Sequence, residues 1–553
     1  MAEKLEKWDL ETEVLVVGTG GAALTAAILA YDNGAKVTII ERSDKVGGAT
    51  AVSGGLSWIP NNHHAEDEDH GQGRDSRDKA MTYVKVMAAG RVKDEVIETF
   101  VDTGPQMIRY LEENTTMKFL WSGVPDYHPE HPGGMKAGRS LGPPLFDTKE
   151  LGDLRDCLRS APVFTLPMSW DELEKNNCLV FPQYVDFELM AQRAGDGMVG
   201  MGRSLIGHLF KACLDRGIKP ILKTRARELI EENGRVTGLR SEQGGKNFHI
   251  CANSVILACG GFEWNEEMKS QFLPGAICRS CTPPSNEGDG QKMAMAVGAG
   301  LGNMCEVWGT PVSIVPNEEY DGRPLYRMTI GERGLPHAIM VNRFGERFVN
   351  ESCNYSDIYK TFNRLDPVAY DYPNVPSWCI FDRQFKDKYT ALIIMPGEPA
   401  PDWLERADTV EDLAKKVGID AEGLKVTVKQ FNAFAIEGVD RDYRRGQSAH
   451  DIFVCGDPTH KPNPCLGTIE KPPFYALPVY PGVIGTKGGP VTNAKGQVLN
   501  AFGQVIQGLY AAGNVMAGVT GPGYGGGGGT IGPAMTWGYI CGKNAPKKKP
   551  RSE

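Results

Sequence analysis

Val14-Leu15-Val16-Val17-Gly18-Thr19-Gly20-Gly21-Ala22-Ala23 is the stretch on which the fold turns. The short apolar run suits a strand buried on both faces. Gly18 permits a tight turn, Gly20 lets backbone approach a pyrophosphate, and Ala23 takes the third small position, where helix and strand pack closely. Gly21 and Ala22 then expose N–H groups at the positive end of a small-residue helix, where phosphate charge is stabilised. That helix runs to about Asp32 and closes at Asn33-Gly34. A second strand, Val37-Thr38-Ile39-Ile40, ends at Glu41, about twenty residues after the turn, as the ribose-binding acid of such units does. A carboxylate there accepts from both ribose hydroxyls and repels a 2′-phosphate. A lone glycine motif also fits ordinary turns, but strand, turn, helix, strand and acid in this order predict a dinucleotide-binding unit.

Similar signals recur far along the chain. Thr224-Arg225-Ala226-Arg227, Gly234-Arg235-Val236-Thr237-Gly238-Leu239 and Ser254-Val255-Ile256-Leu257-Ala258 read as strands, the last ending at Gly260-Gly261. Gly508-Leu509-Tyr510-Ala511-Ala512-Gly513 reads as another strand that stops at glycine. The expected fold class is α/β: a discontinuous Rossmann-like cofactor domain (1–276 and 469–553) interrupted by an α+β catalytic domain (277–468). Ala226, Ala258 and Gly260 are expected at the cofactor, as is Asp289 in the helix-initiating loop Asn286-Glu287-Gly288-Asp289-Gly290.

The 553 residues exceed what one core usually organises. Apolar residues at 41% and charged residues at 23% argue against disorder, and a net charge of −9 argues against a nucleic-acid partner. The acidic start lacks the apolar core of a secretory signal, no apolar run is long enough to span a bilayer, and a cytoplasmic location is expected. The basic end, Lys547-Lys548-Lys549-Pro550-Arg551, supports at most weak membrane association. The 13 cysteines are expected to be mostly buried thiols. No metal is expected: Cys278-Arg279-Ser280-Cys281 lacks a second pair, and His63-His64-Ala65-Glu66-Asp67-Glu68-Asp69-His70 reads as a polar loop.

Directly after the acid come Arg42 and Val46-Gly47-Gly48-Ala49-Thr50-Ala51-Val52-Ser53-Gly54-Gly55. This segment resembles one shared by flavoproteins related to fumarate reductase, where it follows the diphosphate and ribityl chain towards the isoalloxazine. The resemblance implies FAD, with Ser53 donating to or accepting from the flavin edge. Tyr510-Ala511-Ala512-Gly513-Asn514 resembles the family's second signature, with Gly513 and Asn514 beside the ribityl phosphate. Thr530 and Ile531 open a final helix whose N-terminus would stabilise charge on reduced flavin.

The dicarboxylate-reducing branch of that superfamily carries a histidine and arginines that hold its substrate. Here Gly485-Thr486-Lys487-Gly488-Gly489 has neither, and no arginine lies within 518–531. The chain instead resembles the 3-ketosteroid dehydrogenases, most closely the Δ1 type. The likeness lies in Val124-Pro125-Asp126-Tyr127-His128-Pro129, in Gly345-Glu346-Arg347-Phe348-Val349-Asn350-Glu351-Ser352-Cys353-Asn354-Tyr355, and in Tyr524 with the glycines of 525–529. It implies a 3-ketosteroid substrate, an external electron acceptor such as a quinone, and a set of site roles. The Tyr524 hydroxyl and Gly528 N–H would polarise the ketone as an oxyanion hole. Tyr355 would take the α-proton, with Tyr127 bonding to it and lowering its pKa; adjacent His128 is the other candidate for that relay. Alternatives of different kinds are a Δ4-(5α) dehydrogenase, a fumarate-reductase-like enoate reductase and an FAD-binding electron-transfer subunit.

Overall fold

A computed structural model describes residues 8–67, 74–276 and 278–546. The basic run at 547–551 and residues 68–70 of the polar stretch lie outside the described residues. β1 (Leu10–Val17), α1 (Gly21–Asp32) and β2 (Val37–Ile40) form the expected βαβ unit. After a long excursion come β3 (Thr224–Glu232), β4 (Arg235–Gln243) and β5 (Lys246–Leu257). α2 (Asp289–Ala296) leads into β6 (Val307–Tyr320), β7 (Arg323–Met328) and β8 (Ala338–Val341). α3 (Tyr355–Phe362) precedes β9 (Ser377–Asp382) and β10 (Phe474–Thr486). β11 (Val505–Ala511) and α4 (Ile531–Asn544) close the described chain.

The first sheet has the order β2-β1-β5-β11-β4-β3. β1 lies parallel between β2 and β5, with Val17 opposite both Ile40 and Leu257, and β11 continues parallel with Ala511 opposite Leu257. The first half of β5 pairs antiparallel with β4 instead, which makes the sheet mixed. The carboxyl ends of β1, β2, β5 and β11 thus share one edge, where open α/β sheets bind ligands. Gly18 sits on that edge at φ +110°, and a Cβ there would lie 2.5 Å from the Ala258 carbonyl oxygen. α1 is apolar around its circumference because it is covered on both sides, by this sheet and by α4; its residues from Gly21 to Ala30 are all buried.

The second sheet runs β7-β6-β10-β9-β8. Its core alternates with period two: Ala338 and Met340 belong to one hydrophobic cluster, Ile339 and Val341 to the other. β10, counted by sequence with the cofactor part, pairs with β6 and β9 in this second sheet, from Phe474 opposite Asp382 to Thr486 opposite Val307. An apolar strand reads alike in either sheet, so its partners were not legible locally. Its far end still reaches the first unit, where Thr486 Oγ1 accepts from Phe262 N at 3.1 Å. Among the described residues no helix is long and apolar enough to cross a membrane.

One buried ionic cluster ties the N-terminal loops to the glycine run. Arg139 donates to both oxygens of Asp75, at 2.8 and 2.6 Å, and to Asp126 Oδ2 at 2.8 Å. Asp126 also accepts from Trp58 Nε1 at 2.8 Å and Met135 N at 2.9 Å. The next residue, Tyr127, donates its N–H to the Gly525 carbonyl at 2.9 Å. Tyr83 Oη donates to that same carbonyl at 2.8 Å, and Ser140 Oγ to the Gly527 carbonyl at 2.7 Å. Asp75→Ala leaves Arg139 half-paired in the interior and is expected to destabilise the protein by roughly 3–5 kcal/mol, read as a lower midpoint in denaturant unfolding of the flavin-loaded protein.

Candidate active site

A cavity of about 520 Å³ runs from the carboxyl edge of the first sheet towards the second sheet. At its first end lie Gly18, Gly20, Gly21, Ala22, Glu41, Arg42, Gly48, Ala49, Thr50, Ser53, Gly54 and Gly55. Ala226, Ala258, Gly260, Asp289, Gly513, Asn514, Thr530 and Ile531 also border it. Two expected cofactor residues do not. Ala23 is buried in the α1 core, and Gly47 stands behind the loop, donating its N–H to Thr19 Oγ1 at 3.0 Å. Both pack behind the cavity wall.

The side chains at this end are held ready. Glu41 accepts from Thr19 Oγ1 at 2.7 Å and from Ser43 N at 2.9 Å, while burial pushes its carboxyl up. Asp289 is gripped by Arg225 at 2.7 and 2.8 Å, with Arg42 at 3.4 Å. Ser53, expected to hydrogen-bond the flavin edge, borders the cavity, donates to the Thr50 carbonyl at 2.7 Å and accepts from Gly55 N at 3.0 Å. Its hydroxyl fastens the loop and retains one acceptor site for a ligand.

At the opposite end the three tyrosines converge. Tyr127 Oη lies 2.7 Å from Tyr355 Oη, which lies 3.2 Å from Tyr524 Oη, and Tyr524 Oη lies 3.0 Å from Thr530 Oγ1. The rings meet edge-on, with centroids 4.9–5.5 Å apart. Tyr355 is the first residue of α3, whose N-cap Asn354 accepts from Asp357 N at 3.1 Å. The preceding segment is anchored by a buried ion network, Arg347 to Glu351 at 2.7 Å and to Asp440 at 2.8 Å. Gly528 has φ +93°, and a Cβ there would lie 2.3 Å from the Leu56 carbonyl oxygen. Only glycine fits this approach. Among the described residues, the Gly528 N–H has no acceptor.

Two questions left by the sequence are answered here. Tyr127 faces the cavity, whereas His128 turns to Asp357 at 2.7 Å. Although partly buried, His128 is raised to about 9 by its bonds to Asp357 and Glu130. The expected lowering of the Tyr355 pKa by Tyr127 is not what the geometry gives: burial dominates and pushes Tyr127, Tyr355 and Tyr524 all well above the ordinary phenol value. The phenols rest neutral because desolvation penalises a phenolate more than one hydroxyl neighbour relieves it.

Other residues at this end carried no sequence signal. Trp308 packs on Tyr524 at 4.6 Å between ring centroids and donates Nε1 to Asn514 Oδ1 at 3.1 Å. His450 meets Tyr127 edge-on at 5.1 Å and is held neutral by burial, its pKa lowered to about 3. Arg333 borders the cavity as well. Away from the cavity, His63 and His64 each bring Nε2 to Glu112, at 3.0 and 2.9 Å.

The FAD binding domain family matches residues 13–531, and the chain belongs to it. It is 38% identical to the 4-oxocyclohexanecarboxylate 2-dehydrogenase of Sinomonas cyclohexanicum, covering 96% of this chain and 92% of that protein. It is also 38% identical to the 3-oxosteroid 1-dehydrogenase of Mycobacterium tuberculosis, covering 96% and 97%. Among solved structures it is similar to the 3-ketosteroid delta1-dehydrogenase of Sterolibacterium denitrificans in complex with 1,4-androstadiene-3,17-dione, with a TM-score of 0.90 at 36% identity over 97% and 99% of the two chains.

The cofactor is therefore FAD, and the cradle suits it: glycine backbone at a helix start, a buried acid at the end of β2 and a second helix start at Thr530. Glu41→Ala removes a charged acceptor worth about 1.5–3 kcal/mol. We expect FAD affinity to fall roughly 10–100-fold, measured by flavin fluorescence on titrating apoprotein.

Proposed function

We propose that this FAD-binding protein dehydrogenates ring ketones, introducing the double bond between carbons 1 and 2 of a 3-oxosteroid. The observation that carries this reading is the hydroxyl chain Tyr127–Tyr355–Tyr524 at the inner end of the cofactor cavity, with the Gly528 N–H unengaged beside it. Tyr524 accepts at its oxygen from neighbouring hydroxyls and keeps its own proton for the ketone. Tyr524 and Gly528 then hold the carbonyl oxygen as negative charge grows on it, each worth about 3 kcal/mol when preorganised. Tyr355, once ionised by loss of its own proton to water, takes the α-proton, and Tyr127 orients the Tyr355 oxygen. Bound FAD supplies the two-electron acceptor for the hydride from the β-carbon.

The rest of the cavity favours a large apolar substrate. Val163, Phe164, Leu179, Leu325, Leu392 and Phe453 line it, with Val163 and Leu179 partly exposed. Such a wall suits fused carbon rings better than the single carboxylated ring named for the Sinomonas relative. We assign the protein to the cytoplasm, with a quinone or similar external acceptor for its electrons.

Anaerobic addition of a 3-keto-4-ene steroid should bleach the flavin and yield the 1,4-diene. Tyr355→Phe should slow the chemical step by about a thousandfold or more, with FAD retained. Bleaching only by a 5α-saturated 3-ketosteroid, yielding the 4-ene, would reassign the protein to the Δ4 chemistry. Bleaching only by 4-oxocyclohexanecarboxylate would reassign it to the monocyclic substrate, and no bleaching by any ketone overturns the reading.

A further inference from the structure

Three arginines are among the largest fully buried side chains: Arg139, Arg333 and Arg445. Arg139 meets two carboxylates and Arg445 meets Glu351 at 3.3 Å. Arg333 differs. Among the described residues it forms no ion pair, and its guanidinium is held by backbone carbonyls alone: Nη1 donates to Thr329 at 2.8 Å and to Ile330, and Nη2 to Cys353 at 2.8 Å. Its Nε is buried without a partner. The adjacent carboxylate, Glu332, accepts from Ile330 N and Leu392 N at 2.9 and 3.0 Å rather than from Arg333, and burial raises its pKa towards the neutral form.

Burying a guanidinium is expensive, and carbonyl dipoles satisfy its N–H groups without cancelling its charge. That uncancelled charge borders the same cavity as Tyr355, Tyr127 and His450. It also reaches the base through the backbone, because Cys353 lies two residues ahead of Tyr355 and immediately before the N-cap of α3.

We propose that Arg333 is a positioning residue for the Tyr355 base: its buried charge, held in no ion pair, stabilises the phenolate, and its bond to Cys353 fixes the start of the helix that carries it. This rests on the ring-ketone reading above. In the step concerned Tyr355 has first lost its own hydroxyl proton to water, the ionisation that the pH profile reads. The α-carbon–hydrogen bond then breaks and its proton joins the phenolate oxygen, while the electron pair forms the ring double bond as hydride leaves the β-carbon for the bound cofactor. The groups facing Tyr355 are two neutral phenols, Tyr127 and Tyr524, and this cation; burial and then Tyr127 push its phenol up, while the Tyr524 hydrogen bond and, after it, the Arg333 charge oppose that push. Arg333 itself faces Glu332, whose carboxyl burial raises, Tyr127 and His450, both held neutral, and Cys353, Cys379 and Cys455, whose thiols burial keeps protonated.

The test is the pH profile of kcat for the FAD-loaded enzyme with a 3-keto-4-ene steroid and an artificial acceptor. Arg333→Gln should move the midpoint up by about one pH unit or more, lowering kcat about tenfold at neutral pH, with recovery as the pH rises. Arg333→Lys keeps the charge and should leave the midpoint within about half a unit. An unshifted midpoint in Arg333→Gln, or a loss confined to KM, overturns the proposal; the KM pattern would assign Arg333 to a substrate anion instead. If Arg333→Gln does not fold, Arg333→Lys decides, since a midpoint moved by a full unit contradicts a role for charge. Ultraviolet titration of tyrosinate, taken as the difference between parent and Tyr355→Phe, reads the same ionisation without turnover. It should move upward in Arg333→Gln even where steroid chemistry fails, which separates this inference from the functional reading.

Discussion

The site depends on a buried cation, Arg139, shared between Asp75 and Asp126. From that point the Asp126 carboxylate fixes the Trp58 indole, and the backbone of the next residue, Tyr127, fixes Gly525. The glycine run has no side chains with which to hold its own shape, so its carbonyls are taken by Tyr83, Tyr127 and Ser140 from elements hundreds of residues away. Burial raises the Asp126 carboxyl to about 6 in spite of Arg139. Desolvation thus outweighs attraction at this carboxylate, which fits a cluster retained for geometry more than for net stability. What it secures is the register between the Tyr127 loop and the Gly528 backbone.

The two ends of the cavity manage charge in opposite ways. At the cofactor end, acids and bases are paired: Asp289 and Glu287 lie against Arg42 and Arg225, and Glu41 is satisfied by Thr19 and Ser43. A dinucleotide meets a preorganised polar surface there. At the tyrosine end the groups are phenols, a neutral imidazole and bare backbone, with two buried basic side chains that form no ion pair among the described residues, Arg333 and, over the Trp308 and Tyr524 rings, Lys487. Few fixed carboxylates compete for a ketone or repel a developing enolate at that end, and weak dielectric screening lets each remaining dipole count for more.

Much of the cofactor half was legible because its chemistry is local. A strand, a glycine turn, a helix and an acid within some thirty residues can be read in order, and nearly all of the expected residues border the cavity. The exceptions, Ala23 and Gly47, carry the same small-residue signal for packing reasons. The substrate half was legible only where a resemblance marked it, since Tyr127, Tyr355 and Tyr524 are drawn from three distant segments. Arg333, Trp308 and His450 were invisible. Each is an isolated residue whose role arises from what it lacks or touches in space: a carboxylate, a tyrosine face, a ring edge. The membership of β10 was hidden for a related reason, because period and composition identify a strand but not its partners.

Neutral phenols at rest are not an obstacle to a tyrosine base; they constrain when it works. An isolated phenolate in this enclosure would be costly, so its formation has to coincide with a compensating change nearby. A ketone drawn onto Tyr524 and Gly528 supplies that change. Once Tyr524 donates outward to the carbonyl, its oxygen turns its acceptor sites towards Tyr355 and Thr530, and the direction of the whole hydroxyl chain is set. Tyr355 then donates to Tyr524 while accepting from Tyr127, and once its own proton has left, its oxygen is the acceptor at the centre of the chain. On this account burial and the chain act together: burial keeps the base silent in the empty site, and the bound ketone orients the chain so that the proton has one place to go.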